Sequence, residues 1–230
     1  MVYNSVGGGT GSGFCNRLLE RLSVDYGKQP KVGINLYPDN LPEAFFESYN
    51  AILATHQLLE HTDVNIPLEN GALQDICREH LDINQPTYST MNKIASQFIS
   101  AIGASIRKYY DIATLIKDTV PYPRIQYLTT SFSPYIKRCS DLTPTVGPTS
   151  NQMVNQAFSP SNTMIRCNPL SGTYMSITLA YRGEGFIPKE VNILTSMIKR
   201  KLKIVDWATA GLRLNLIRET GQFLTNSELS

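Results

Sequence analysis

Apolar residues recur along the first half of the chain with two spacings that alternate, one typical of helices and the other of strands. A glycine-rich stretch from Gly7 to Gly13 leads into apolar positions at helical spacing, which stop at Gly27. Lys31 to Tyr37 and Val64 to Leu68 each predict a strand. The helical period returns in three segments: Pro42 to Leu59, Ala72 to His80 and Thr87 to Arg107. Strands that alternate with helices predict a parallel sheet covered by helices, the α/β class.

The segment after Pro42 carries its apolar residues on one helical stripe: Phe45, Tyr49, Ile52, Leu53 and Leu59. We expect this stripe to face the core. His56 lies on the stripe, which predicts a core histidine with one satisfied nitrogen rather than a metal ligand or a base.

The pattern changes at Val120-Pro121-Tyr122-Pro123, where two prolines end the preceding helix. Arg124 to Lys137 is predicted to be extended, Thr173 to Tyr181 alternates like a strand, and Pro188 to Lys201 has helical spacing with proline in its first turn. This half predicts an α+β arrangement, so we place a domain boundary near residue 120. Arg218 to Ser230 shows no clear periodicity.

Composition narrows the class of protein only slightly. Hydrophobic residues at 42% and charged residues at 17% exclude wholesale disorder, and a formal charge of +2 predicts no binding to nucleic acid or a membrane. The cysteines Cys15, Cys77, Cys139 and Cys167 lie too far apart in the sequence for metal-ligand spacing, so we expect buried, reduced thiols. No apolar run approaches a membrane span and the start lacks signal-peptide character, so we expect a cytoplasmic protein.

The glycine-rich stretch is the first candidate for chemistry. Five glycines in seven positions let backbone N–H groups point into one concavity, and the following helix adds the positive end of its dipole, which suits a phosphate. The stretch lacks the lysine of the common Gly-x-x-x-x-Gly-Lys-Ser/Thr loop, and Gly-x-Gly-x-x-Gly does not fit it either. A flexible turn therefore remains an equal alternative on glycine content alone.

The complete string resembles a known family. Gly7 to Phe14, followed by Glu20-Arg21-Leu22-Ser23-Val24-Asp25-Tyr26-Gly27-Lys28, is similar to the phosphate loop and helix of the tubulin family in its α-subunit form. Further matches in the same order are Thr55-His56, Asp75-Ile76-Cys77-Arg78, Pro86-Thr87-Tyr88, Val120 to Ile125, Tyr181-Arg182-Gly183 and Val205-Asp206-Trp207. The resemblance implies a GTP-binding cytoskeletal fold in the cytoplasm, built into microtubules with β-tubulin as heterodimer partner.

The resemblance also implies the organisation of the chain. Residues 1–86 would form the C-terminal half of a Rossmann-like GTPase domain with a parallel sheet, and residues 87–119 a long core helix with the loop and helix after it. Residues 120–217 would form an α+β two-layer sandwich, and 218–230 an irregular tail.

The nucleotide site is implied residue by residue. The phosphates would lie against Ser5, Gly7, Gly8, Gly9, Thr10 and Gly11, Glu47 would hold the ribose, and Asn70, Tyr88 and Asn92 would hold guanine. Amide groups donate and accept as a guanine edge requires, and the tyrosine ring offers a stacking face. Residue type alone, without the resemblance, favours simpler interpretations: Asn92 as an exposed helix residue, Asn70 as a helix cap and Tyr88 as a core residue.

Departures from the family pattern predict altered activity. The family's first phosphate loop and magnesium-side acids precede the part that is matched here, so we expect a fragment with weak GTP affinity, no Mg²⁺ ligands of its own and an exposed strand edge at Val32 to Leu36. Glu43 stands where a nucleotide-side threonine is expected. Counting back from Val120 places Thr114 where the family has its activating glutamate, with Asp111 as the alternative. A GTPase with its own turnover, or a nucleotide-free fragment that binds β-tubulin or tubulin-folding factors, remains an alternative function.

Overall fold

The structure is a computed structural model that describes residues 1–39, 45–108, 111–135, 150–182, 188–208 and 212–217. Its first half alternates strands and helices, as the sequence predicts. The elements in chain order are β1 (Val2–Ser5), α1 (Cys15–Asp25), β2 (Val32–Tyr37), α2 (Glu47–His61), β3 (Val64–Glu69), α3 (Asn70–Leu81), α4 (Tyr88–Lys108) and α5 (Ile112–Thr119). A π-helical stretch, Thr10–Phe14, runs directly into α1.

The three strands form one parallel sheet in the order β1-β2-β3. One face of this sheet packs against α3 and α4 through a core that includes Ile34, Ile66, Ile76 and Phe98. The other face packs against α1 and α2, where Leu19 and Leu58 are buried. The predicted α/β class with a parallel sheet is therefore confirmed, and all three strands end at the same edge.

Strand β2 corrects one prediction. Val32 to Leu36 was expected to be an exposed edge, but β2 is the central strand and pairs with both neighbours. Val32 and Ile34 are buried on one face, and Asn35 is buried on the other. The apolar residues of β2 are therefore explained by a strand that helices cover on both faces.

Helix α2 corrects a second prediction. Phe45, Tyr49, Ile52 and Leu53 are 80%, 61%, 70% and 67% exposed, so most of the predicted stripe faces away from the core. The buried face of α2 is formed by Ala54 and Leu58 instead, because the small Ala54 side chain lets α2 pack against the α1 layer. His56 is accordingly an exposed residue near Glu60, with 3.9 Å between Nε2 and Oε1, and not a core histidine.

The second half contains α6 (Ser150–Ala157), β4 (Ile177–Arg182), α7 (Pro188–Lys201) and β5 (Leu212–Ile217). Strands β4 and β5 pair in parallel, and a small core joins β4 to α6 and α7 through Val154, Tyr181, Val191 and Ile198. The predicted helix Pro188–Lys201 is confirmed. The predicted strand is shorter than expected, because only Ile177–Arg182 forms a ladder, while Tyr174 makes a single bridge to Ile204.

The extended segment after the two prolines lies beside β3. The Asn65 N–H donates to the Gln126 carbonyl and the Leu128 N–H donates to the Asn65 carbonyl, both at 2.9 Å. Strand-like pairing is thus confirmed around Tyr127 and at Ser131, whereas Arg124 lies in a turn. The end of the predicted segment, through Lys137, lies outside the described residues. This segment connects the second half of the chain to the first.

Two of the four cysteines match the sequence expectation. Cys15 and Cys77 are reduced and buried, and burial raises the pKa of each thiol. Cys167 is reduced but exposed, which contradicts the expectation for that residue. Cys139 lies outside the described residues.

Candidate nucleotide site at the carboxyl edge of the sheet

The glycine-rich loop leaves β1 at Ser5 and becomes helical at once. Gly9 already has helical backbone angles, and the Ser12 N–H donates to the Gly8 carbonyl at 3.0 Å. The first backbone N–H groups of this helix therefore lie just beyond the carboxyl end of a parallel strand, the usual place for an anion in open α/β sheets.

Two glycines in the loop lie against other parts of the chain, Gly11 against backbone and Gly7 against a side chain. A Cβ at Gly11 would collide with the Ser5 carbonyl group, whose carbon would lie 2.9 Å away. A Cβ at Gly7 would lie 2.6 Å from Oε1 of Glu47. By contrast, no described atom lies within 4 Å of a Cβ built at Gly8 or Gly9. The loop is thus packed from behind and open in front, which fits a phosphate group.

Three side chains hold the loop in this shape. Asn4 Nδ2 donates to the Gly11 carbonyl at 2.9 Å, and Asn50 Nδ2 donates to the Gly7 carbonyl at 2.9 Å. Ser12 Oγ donates to the Gly8 carbonyl at 2.8 Å. Sequence reasoning missed all three supporting roles, although polar Asn4 in a short strand next to the loop is a signal that could have found one of them.

The structure places the predicted phosphate and ribose residues together. Ser5 and Gly11 are in contact, and Glu47, in the first turn of α2, lies against Gly7. Thr10 is exposed at the start of the helix. Glu43 lies outside the described residues.

Of the predicted base residues, Asn70 lies further along the same edge. Asn70 is half-buried at the start of α3, directly after β3, which is two strand spacings, or about 10 Å, from β1. Tyr88 is 62% exposed at the start of α4, and Asn92 is exposed one turn later. Tyr88 is therefore not a core residue.

An ion cluster surrounds the start of α3. Arg166 donates from Nε to Asp75 Oδ2 and from Nη1 to Asp39 Oδ1, both at 2.8 Å. Its backbone N–H donates to Glu69 Oε2 at 2.9 Å. Arg166 is separated from its partners by about a hundred positions, so no local sequence signal points to this cluster.

The two candidates for the activating acid occupy one helix end. Asp111 precedes α5 with extended backbone angles, and its carbonyl accepts from the N–H groups of Thr114 and Leu115 at 2.9 and 3.1 Å. Asp111 and Thr114 are both exposed. Asp111 is thus the residue just before α5, and Thr114 lies in the first turn of the same helix.

The described part of the chain does not offer a ready-made metal centre, because it contains no group of three or more His, Cys, Asp or Glu residues placed to hold an ion. Among its helices, none is long and apolar enough to cross a bilayer.

The fold is that of an α/β protein with a glycine-rich loop at the carboxyl edge of a parallel sheet. Residues 1–78 match the family model described as the Tubulin/FtsZ family, GTPase domain, and residues 123–230 match the model of the Tubulin C-terminal domain. The two matches occur in this order and together span most of the chain. The chain belongs to the tubulin family, whose members are GTP-binding cytoskeletal proteins.

Proposed function

We propose that this chain is an α-tubulin-like subunit that binds a guanine nucleotide along the carboxyl edge of its sheet. The observation that carries this proposal is the glycine loop, which is closed from behind by Ser5 and Glu47 and open at Gly8 and Gly9. Phosphates would accept hydrogen bonds from the N–H groups of Gly9, Thr10 and Gly11, where the helix dipole also favours negative charge.

The base and ribose would lie along the strand ends. Glu47 is placed beside the loop and would accept hydrogen bonds from ribose hydroxyls. Asn70, Tyr88 and Asn92 would hold guanine through amide hydrogen bonds and ring stacking, and the exposure of Tyr88 and Asn92 leaves them accessible for this. Mg²⁺ would be bound through the nucleotide phosphates and water, since the described residues supply no preformed site for it.

A polymer partner is the second part of the proposal, and we assign it to β-tubulin. The exposed apolar residues at and before the start of α2 support association: Phe45, Phe46, Tyr49, Ile52 and Leu53 are each more than 60% exposed. A contiguous apolar surface of this kind is typical of a protein contact. Such a subunit would act in the cytoplasm, in microtubules.

Helix α5 bears on hydrolysis. By the resemblance to the α-subunit form, the residue at position 114 would face the nucleotide of the neighbouring subunit. A threonine hydroxyl cannot accept a proton from attacking water as a carboxylate can. We therefore propose that the chain binds its partner without activating hydrolysis. Asp111 is the alternative acid, since it lies on the same helix end.

Nucleotide binding is tested by titrating GTP and ATP, each with Mg²⁺, into the full chain alone and in the presence of β-tubulin. The proposal expects preference for GTP, and expects Asn92→Ala to weaken GTP more than ATP. Ser96→Ala is a matched control, because Ser96 is also exposed on α4 and bonds only its own helix through Lys93. Absence of any GTP preference under both conditions, or equal losses for both nucleotides in Asn92→Ala, would refute the base-binding assignment.

A further inference from the structure

Arg166 joins two strand ends at the place where the proposed base site begins. Its guanidinium bonds Asp39, which follows β2, and Asp75, which lies on α3 after β3. The hydrogen bond to Asp75 raises the pKa of Arg166, so the guanidinium stays charged throughout the physiological range. A planar group with several N–H donors is suited to hold two carboxylates at once, as a lysine is not.

Arg166 also contacts both residues that flank Asn70 in the sequence, Glu69 and Gly71. On one side, the Arg166 N–H donates to Glu69 Oε2 at 2.9 Å, and the Glu69 N–H donates to the Met164 carbonyl at 3.0 Å. On the other side, a Cβ at Gly71 would lie 2.5 Å from Cζ and from Nη1 of Arg166. Glycine at position 71 is therefore what lets the guanidinium lie against the backbone of α3.

We propose that Arg166 is a positioning residue for nucleotide-base recognition: its guanidinium, held by Asp39 and Asp75, lies against Gly71 and so fixes the backbone from which the Asn70 amide reaches the base. The inference rests on the proposed function, which gives Asn70 its role. Arg166 lies in the part that matches the C-terminal domain, whereas Asn70 lies in the part that matches the GTPase domain. The contact therefore makes base recognition depend on the second half of the chain.

Two variants remove the contact from opposite sides. Arg166→Gln deletes the guanidinium but keeps the backbone N–H that bonds Glu69. Gly71→Ala places a methyl group where the guanidinium lies, at the cost of moving only the ends of flexible side chains. Arg78→Gln is the matched control, since Arg78 also faces Asp75, with 3.9 Å between Nη1 and Oδ1. Arg78 loses one charge in the same cluster but has no recorded contact with Glu69 or Gly71 among the described residues.

The first readout is the side-chain amide resonance of Asn70 in the nucleotide-free, full chain, labelled with ¹⁵N-asparagine. We expect this resonance to shift in Arg166→Gln and in Gly71→Ala, to shift no further when the two are combined, and to stay in place in Arg78→Gln. The second readout is the ratio of GTP to ATP affinity, which we expect to fall about tenfold in Arg166→Gln, a loss of the size expected for a hydrogen bond to a charged group. Arg166→Lys is expected to restore only part of that ratio, because an ammonium group can pair with a carboxylate of the cluster but lacks the planar group that lies against Gly71.

The outcomes separate this inference from the proposed function. An unmoved Asn70 resonance in both variants, or an unchanged affinity ratio in folded Arg166→Gln, overturns the positioning role. If the unmodified chain shows no preference for GTP over ATP, the proposed function is overturned, even where the Asn70 resonance shifts as expected in the two variants. An equal response of Arg78→Gln would overturn the positioning role, because it would show that loss of charge, and not the contact of the guanidinium with Gly71, is responsible.

Discussion

Gly11→Ala is the sharpest test of the loop geometry. A new Cβ would lie 2.9 Å from the carbonyl carbon of Ser5, with the oxygen closer still. Because carbon atoms prefer separations of about 3.5–4.0 Å, the end of β1 and the start of the helix must move apart by roughly 0.6 Å or more. Backbone atoms on both sides resist this movement, since the Val6 N–H is bonded to the Leu36 carbonyl at 3.0 Å and Asn4 Nδ2 to the Gly11 carbonyl at 2.9 Å.

Gly13→Ala provides the comparison for this variant. Gly13 lies in the same π-helical stretch, and no described atom is within 4 Å of a Cβ built there. Replacing glycine by alanine lowers the conformational entropy of the unfolded chain by a similar amount at both positions. The difference in unfolding free energy between the two variants therefore measures the effect of the collision at position 11. Overpacking of this kind costs about 1–3 kcal/mol.

Urea unfolding followed by circular dichroism measures that difference. We expect Gly11→Ala to have a lower midpoint than Gly13→Ala at an equal dependence on urea, and to lose nucleotide binding because the N–H groups of the loop move. Equal midpoints for the two variants would show that the loop accepts a side chain at position 11. The conclusion that Gly11 packs too closely against Ser5 to accept a side chain would then be refuted.

Three further predictions use other parts of the chain. With GTP-loaded β-tubulin, Thr114→Glu should raise phosphate release by about 10²–10⁴-fold, the usual effect of a general base, and an unchanged rate would contradict the role given to α5. Cys167 should react with a thiol reagent at pH 8 well before Cys15 and Cys77, whose thiol pKa values are raised by burial, as peptide mapping by mass spectrometry can show. Burial, more than the hydrogen bond from Tyr37, raises the pKa of Tyr127, so the folded state holds its proton where the unfolded state loses it. Stability should therefore fall as the pH rises above about 10, and Tyr127→Phe should reduce that fall.

Most of the helices and strands could be predicted because their signals are local. Val64–Glu69 is a short apolar run that follows a helix, and Pro188–Lys201 begins with proline and keeps helical spacing throughout. Such patterns depend only on the period of the side chains and on the residues that start or end an element. They hold wherever the element packs.

The buried face of α2 could not be predicted in the same way. Its apolar residues satisfy the helical period on two sides, and periodicity does not tell which side meets the rest of the protein. The structure buries Ala54 and Leu58, whose combined bulk suits the space beside α1, and leaves Ile52 and Leu53 exposed. His56 follows its helix face, which is why its predicted burial was wrong.

In the candidate site, too, features formed by neighbouring residues could be predicted, and contacts between distant residues could not. The glycine loop is a continuous string, so its chemistry could be inferred from the sequence, but the role of Arg166 could not. Arg166 is 97 positions from Glu69 and 127 from Asp39. The segment that carries it is joined to the end of β3 by the hydrogen bond from the Glu69 N–H to the Met164 carbonyl. An ion pair between such distant residues leaves no periodic or local pattern.

The loop is held by a chain of amides as well as by close packing. Asn35, fully buried in the central strand, donates from Nδ2 to Asn4 Oδ1 at 2.6 Å, and Asn4 Nδ2 in turn donates to the Gly11 carbonyl. Loss of Asn4 would leave the buried Asn35 amide unpaired, which costs about 1–3 kcal/mol, so the protein resists rearrangement along this route. The loop thus has its shape before any ligand arrives, and a phosphate that binds there need not supply the free energy of ordering it.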